Sequence, residues 1–258
     1  MPYKTIESRD NTLIKKIVKL SQSSSYRKEL GLAVIYGAHL VDEAIKHNIL
    51  ENVIVVDSSI AKFNNILENE HLTSYVVTQN IIEKINLLDS FVEIVGVIRL
   101  PQEQLIDYTI VKDYILLENI QDPGNLGTIL RVAMACGINS ICLSANCVDI
   151  YNPKVIRSSQ GLQFGLNIYT NIDLYDFVTN YLGKVIATTP HTDKNLYDYN
   201  LKQSIAWVFG NEGAGVTSEL LAKVNNLAKI PMIGQAESLN IAMAVTVCVF
   251  EMARQRIC

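Results

Sequence analysis

The chain lacks any apolar run long enough to cross a bilayer. Its longest, Ile241 to Phe250, covers ten residues where a spanning helix needs about twenty, so no membrane partner is expected. No apolar signal segment follows Met1-Pro2-Tyr3-Lys4, which points to a cytoplasmic protein. The cysteines, Cys136, Cys142, Cys147, Cys248 and Cys258, are odd in number and form no Cys-x-x-Cys. That argues against a disulfide framework or zinc ribbon and for reduced thiols. Four scattered histidines give no metal-ligand spacing, so no metal is expected. Internal repeats and low-complexity tracts are missing as well.

What is present is globular composition: 258 residues, 49% hydrophobic and 19% charged, enough for one large domain or two modest ones. The net charge of −4 argues weakly against a nucleic-acid partner, but its distribution argues the other way. Residues 1–31 carry Lys4, Arg9, Lys15, Lys16, Lys19, Arg27 and Lys28 against Glu7, Asp10 and Glu29, a local +4 on a body of −8. Such a segment could contact phosphate, although from the charges alone a solvated amphipathic helix is the favoured reading.

The N-terminal region reads as a helix over about 11–30, a strand from Ala33 to Tyr36, a helix over 39–47 and a strand from Val53 to Asp57. Another helix follows, then a short strand at Tyr75 to Thr78, a helix over 79–88 and a strand from Ile94 to Leu100. This alternation suggests a small α/β domain over 1–104. "LPQEQLIDYTIVKD" reads as a linker into a second domain, 105–258. There "YILLENI", "SICLS", "VIATT", "AWVFG" and "LAKIP" are short continuous apolar runs of the kind that build a parallel sheet covered on both faces.

Three loops follow three of those strands. In "ENIQDPGNLGTILRVAMACG", Asn125 can cap a helix whose Leu126, Ile129, Leu130, Ala133 and Met134 form the core stripe, with Arg131 off it and Gly137 as the stop. The spacing Gly124-x-x-Gly127, with no acidic residue about twenty on, rules out a Rossmann dinucleotide site. It also argues against the common methyltransferase fold. In "AWVFGNEGAGVTSELL", Gly210, Gly213 and Gly215 allow close backbone approach around Glu212, and Thr217 can cap the next helix. In "AKIPMIGQAESLN", Ser238 reads as the cap of a final helix that is apolar nearly all the way round, a pattern normally buried on all sides. Strand ends with adjoining loops are where open α/β sheets bind ligands, and three such loops carry polar groups.

With these residues quoted, the sequence resembles the SpoU–TrmH group of RNA ribose 2′-O-methyltransferases, in the SPOUT class. The family's D/N-P-x-N-x-G-x-x-x-R segment matches Asp122-Pro123-Gly124-Asn125 through Arg131, and its G-x-E-x-x-G matches Gly210, Glu212 and Gly215. Its I-P-M followed by S-L-N matches Ile230-Pro231-Met232 and Ser238-Leu239-Asn240, and its R-x-S-x-G matches Arg157, Ser159 and Gly161. The resemblance covers about residues 112–258. "SRDNTLIKKIVKL" and "YGAHLVDEAI" are similar to the family's L30e-like substrate-binding domain, with Tyr36 where many relatives carry Glu before the glycine.

The resemblance implies a parallel-sheet SPOUT domain with a deep trefoil knot, an L30e-like N-terminal domain, a homodimer and S-adenosylmethionine as methyl donor. It puts Arg131 at the ribose hydroxyl. A guanidinium with a pKa above about 12 is a poor base, so Arg131 is expected to bind the target phosphate and stabilise the forming alkoxide. Asn125 and Glu212 would shape the site with it, Ser238 and Asn240 would start the final helix and help build the catalytic and methyl-donor site, and Glu212 would also contact the donor. Backbone groups near Thr188, Gly210, Ile230, Met232 and Leu239 would hold the adenosyl moiety. The three loops hold no Trp, Tyr or His, which suits a sugar–phosphate edge better than a flipped base. Ribosomal RNA is favoured as substrate over transfer RNA. The competing reading is a catalytically silent RNA-binding or ribosome-assembly protein on the same fold, against which the intact Arg131, Glu212, Ser238 and Asn240 speak.

Overall fold

A computed structural model describes residues 3–87, 91–102 and 104–257. The N-terminal region runs β1 (Tyr3–Ile6), α1 (Thr12–Gln22), α2 (Ser24–Leu30), β2 (Leu32–Tyr36), α3 (Ala38–Lys46), β3 (Leu50–Val56), α4 (Asn64–Leu67), β4 (Thr73–Val77), α5 (Gln79–Ile85) and β5 (Ile94–Arg99). The chain continues with β6 (Tyr114–Leu117), α6 (Pro123–Ala135), β7 (Ser140–Leu143), α7 (Pro153–Ser159), β8 (Asn167–Tyr169), α8 (Leu174–Asn180) and β9 (Lys184–Thr188). It ends with β10 (Ile205–Phe209), α9 (Ser218–Leu221), β11 (Leu227–Ala228) and α10 (Ile241–Ile257).

Two compact units result: Met1–Gln102 with Asp149–Phe164, and Glu103–Val148 with Gly165–Cys258. The division expected at 104/105 would make both domains continuous in sequence, whereas the first unit also takes in 149–164. Arg27 gives a physical reason. It is 3% exposed, and a guanidinium so buried needs a counter-charge. Asp149 supplies it, accepting from Nε at 2.7 Å and from a second guanidinium nitrogen, while Nη1 donates to the Leu20 carbonyl at 2.6 Å. Ile156 of α7 joins the same unit's core, and Ser159 and Gln163 hydrogen-bond each other at 2.6 Å in its interior.

The first unit's sheet has the order β1-β4-β3-β5-β2, with β5 antiparallel to both its neighbours. Helices α1 and α5 pack Ile14, Ile17, Leu20, Ile81, Ile82 and Ile85 on one face. Helices α3, α4 and α7 cover the other with Leu40, Val41, Ala44, Leu67 and Ile156. The single helix expected over 11–30 is two. Ser23, with extended φ/ψ, ends α1, and its hydroxyl accepts from the Tyr26 N–H at 3.2 Å to start α2. The helix expected over 79–88 ends at Ile85, and Leu88 lies outside the described residues, as does Cys258.

The second unit's sheet is parallel throughout, in the order β11-β9-β10-β6-β7-β8. Two strands differ from expectation: "LAKIP" forms a strand only over Leu227–Ala228, with Lys229 making an isolated bridge to Asn195, and Asn167–Tyr169, too short to show a pattern, forms β8. The four residues of β1 are likewise too few to show one. Helices α6 and α10 pack on each other, and an aromatic cluster of Tyr114, Phe177 and Tyr181 fills the α8 side. Within one chain α10 is buried on only part of its surface. Ile241, Ala242, Val245, Cys248, Val249 and Met252 are buried, but Met243 and Phe250 are about half exposed, at 53% and 50%. The last turn of α10 is anchored. Arg256 holds Asp113 at 2.6 and 3.0 Å and donates to the Leu201 and Gln203 carbonyls, while Gln255 exchanges hydrogen bonds with Leu201 and Tyr199.

Candidate functional site

The ends of β6, β9, β10 and β11 deliver four loops to one side of the second unit, where a cavity of about 300 Å³ opens. That is the size class of a small-molecule site. Its wall includes Thr188, Gly210, Glu212, Ile230, Met232, Ser238 and Leu239, seven residues singled out in the sequence. Thr189, Pro190, His191, Asn211 and Glu237 also face it.

The glycine loop after β10 is closed tightly. An ideal Cβ on Gly210 would lie 2.0 Å from the Gly215 carbonyl carbon, so no side chain fits there. Gly215 has φ +71°, a conformation that favours glycine. Asn211 and Gly215 exchange backbone hydrogen bonds at 3.1 and 2.9 Å. The Asn211 side chain accepts from Gly213 N–H at 2.9 Å and donates to the Asn119 carbonyl at 2.9 Å. Glu118 then clasps the loop's far end, accepting from Thr217 N–H at 2.8 Å and from its hydroxyl at 2.7 Å. Thr217 therefore stands at the start of α9, but its hydroxyl goes to Glu118 and makes no cap bond. Motif reading misses Glu118 and Asn211 as builders of this loop. The available signal is the charged and polar pair Glu118-Asn119 directly after the apolar "YILL".

Two expected caps are corrected. α6 is capped by Asp122, whose carboxylate accepts from Asn125 N–H at 2.7 Å with Pro123 in the first turn, leaving the Asn125 side chain free for other work. α10 is capped by Asn240, not Ser238: Asn240 Oδ1 accepts from Ala242 N–H at 2.9 Å and Met243 N–H at 3.4 Å. Ser238 lies three residues before the helix begins, in an exposed segment on the cavity wall.

These caps give the site a direction. Because Asn240 Oδ1 faces helix N–H groups, its Nδ2 points outward and donates to Asn125 Oδ1 at 2.9 Å. Asn125 Nδ2 in turn donates to Glu212 Oε1 at 2.8 Å. One residue from each of the three motif loops is thus joined in an ordered chain ending on a carboxylate at the cavity. Arg131 is elsewhere. It is exposed on α6, does not line the cavity, and makes no hydrogen bond or ion pair among the described residues. Arg157 and Ser159, on α7, belong to the first unit. Among the described residues no group of three or more His, Cys, Asp or Glu could hold a metal ion, and no helix is long and apolar enough to cross a membrane.

Comparison with known proteins gives matches to the same regions. Residues 112–250 match the model of the SpoU rRNA Methylase family, and residues 11–95 that of the MRM3-like substrate binding domain. The chain is 31% identical over 252 residues to the 23S rRNA (guanosine(2553)-2′-O)-methyltransferase of Bacillus subtilis, covering 96% of this chain and 99% of that protein. It is similar to a crystal structure of an RNA 2′-O ribose methyltransferase, with TM-score 0.84, 27% identity, and 98% and 100% of the two chains covered. It is also similar to that of an AdoMet-bound rRNA methyltransferase from Sinorhizobium meliloti, with TM-score 0.85, 26% identity and 98% of both chains covered.

Proposed function

The chain belongs to the SpoU rRNA methylase family, and from that premise we propose that it is an S-adenosylmethionine-dependent methyltransferase acting on a ribose 2′-hydroxyl of ribosomal RNA. The observation that carries the reading is the Asn240–Asn125–Glu212 chain, which joins the three motif loops and ends on Glu212, the one of the three that lines the cavity.

The cavity suits the donor. Ile230, Met232 and Leu239 offer apolar surface to an adenine, and the closed glycine loop brings backbone groups to the wall. Glu212 and Glu237 offer negative charge to a sulfonium and an ammonium. When bound, S-adenosylmethionine supplies a methyl group already activated for displacement, so the chain's task is alignment and charge management. The Asn240–Asn125 pair fixes Glu212, and Glu118 with Asn211 fixes the loop that carries it. Arg131 is read as the group that meets the RNA phosphate and the developing alkoxide. Since it lies outside the cavity of its own subunit, the reading takes the enzyme as a homodimer in which the partner subunit's Arg131 completes the site. The half-exposed Met243 and Phe250 of α10 and the exposed Ile233 support such a dimer.

The finer assignments follow the same reading. The second unit carries the reaction, and the substrate-binding module over 11–95 is of L30e type. α10 closes a trefoil knot, supported by the anchoring of its last turn to residues 199–203 and to Asp113. The location is cytoplasmic. The test is to incubate the protein with ribosomal RNA and donor, digest to nucleosides and repeat with a single 2′-deoxy target. A 2′-O-methyl nucleoside that vanishes with the deoxy substitution is expected, and a base-methylated nucleoside overturns the reading.

A further inference from the structure

The donor carries three charged groups: a sulfonium, an α-ammonium and an α-carboxylate. Glu212 and Glu237 face the cavity as counter-charges for the two cations. The carboxylate has no counterpart in lysine or arginine, since among the described residues neither type lines the cavity. A carboxylate bound without hydrogen-bond donors keeps the full cost of its lost hydration.

Most neutral donors of the wall are already committed. The N–H groups of Gly213 and Ala214 donate to Asn211 Oδ1 at 2.9 and 3.3 Å, and that of Gly215 to the Asn211 carbonyl at 2.9 Å. Successive loop amides of this kind are a common cradle for anions, but here they close on their own asparagine. Asn211 Nδ2 donates to the Asn119 carbonyl, and the Thr188 hydroxyl to the Val208 carbonyl at 3.3 Å. The remaining side-chain hydroxyls, of Ser238 and the buried Thr189, are neutral.

His191 differs from all of these. It lines the cavity, is exposed, and is the single histidine of the second unit. Histidine is also the one side-chain type on this wall that can carry positive charge near neutral pH. Its loop is tied at both ends. Thr189 N–H donates to the Ala228 carbonyl at 3.0 Å and His191 N–H to the Thr189 hydroxyl at 3.2 Å, while Leu196 N–H reaches the Lys229 carbonyl at 2.8 Å. These ties hold the segment between them beside β11, at the cavity.

We propose that the imidazole of His191 holds the α-carboxylate of the methyl donor, an assignment that rests on the S-adenosylmethionine reading above. The contact is with the amino-acid tail, so it acts equally on the donor and on the demethylated product, which share that tail.

The experiment is titration calorimetry on the full chain with three ligands. S-adenosylmethionine has both sulfonium and carboxylate, S-adenosylhomocysteine has the carboxylate without the sulfonium, and decarboxylated S-adenosylmethionine has the sulfonium without the carboxylate. His191→Ala should weaken the first two alike, by about fivefold, and leave the third within about twofold of wild type. His191→Glu, which adds a third carboxylate to the wall, should weaken the first two further and tighten the third. The contrast among ligands within one variant separates recognition from a general folding defect. Unchanged affinities in His191→Ala, or an equal loss for all three ligands, overturn the proposal. A loss confined to the two sulfonium ligands also overturns it, because it places His191 at the sulfonium. Failure of the wild type to bind S-adenosylmethionine at all would instead strike the underlying reading.

Discussion

Replacing Asn125 with Asp changes one NH₂ into one oxygen and tests the order of the hydrogen-bond chain. Asn240 can offer Asn125 only its N–H, because its carbonyl is committed to the first turn of α10. Asn125 must therefore spend its own N–H on Glu212, 2.8 Å away. In Asn125→Asp that donor becomes an acceptor, and two carboxylates face each other at hydrogen-bond distance. Coulomb repulsion at 2.8 Å is about 1.5 kcal/mol even in water-like surroundings. Loss of a hydrogen bond to a charged group adds about 1.5–3 kcal/mol. A total near 3 kcal/mol predicts roughly a hundredfold loss of kcat/KM at pH 8. Asn125→Ala, which loses the bond without adding charge, should lose roughly tenfold. The two variants should also differ in pH response. Opposed carboxylates bind one shared proton more readily than either alone, and that proton restores an O–H···O bond. The ratio of Asn125→Asp to wild-type activity should therefore rise as pH falls from 8 to about 5, while the Asn125→Ala ratio stays flat. Methyl transfer from labelled donor, measured across that range, provides the check. A ratio for Asn125→Asp that is flat or falls toward low pH refutes the assigned direction of the network.

Glu118→Ala should weaken donor binding by about tenfold or more, since Thr217 loses both its bonds and the glycine loop its clasp, and Glu118→Gln should recover some of that. Titration calorimetry with the donor measures it, and an unchanged affinity in Glu118→Ala would remove that residue from the site. Mixing and re-equilibrating the separately inactive Arg131→Ala and Glu212→Gln proteins should restore about a quarter of wild-type activity per site if the active site is shared across a dimer. No recovery would place Arg131 in its own subunit's site. The Glu251 carboxyl is held down to about 2 by hydrogen bonds from Arg254 and Gln255. A carboxyl lowered on folding adds stability above its unfolded value and loses it as pH falls through the folded one. Glu251→Gln should therefore narrow the gap in Tm between pH 6 and pH 3, and an undiminished gap in a thermal melt would contradict this.

The sequence by itself determined four strands of the second unit's sheet, β6, β7, β9 and β10, and the residues at their ends. Buried parallel strands must be short apolar runs, and glycine and polar residues stand out against them, so "YILL", "AWVF" and the loops after them were legible. Family resemblance then supplied the chemistry those loops imply. Local chemistry failed wherever a polar side chain had two available partners. Asn125 and Ser238 both look like caps, but Asp122 and Asn240 take those roles, and only the folded geometry frees Asn125 to reach Glu212. Glu118 could not be assigned from sequence because its partner, Thr217, lies 99 residues away. The same holds for Arg27 and Asp149, 122 residues apart, whose buried pairing draws residues 149–164 into the first unit. The periodicity of α10 showed that it is apolar on most sides, but which side faces its own core is decided by packing against α6 and the sheet. Partners distant in sequence meet only when the sheet order brings them together, and that is the information tertiary structure adds.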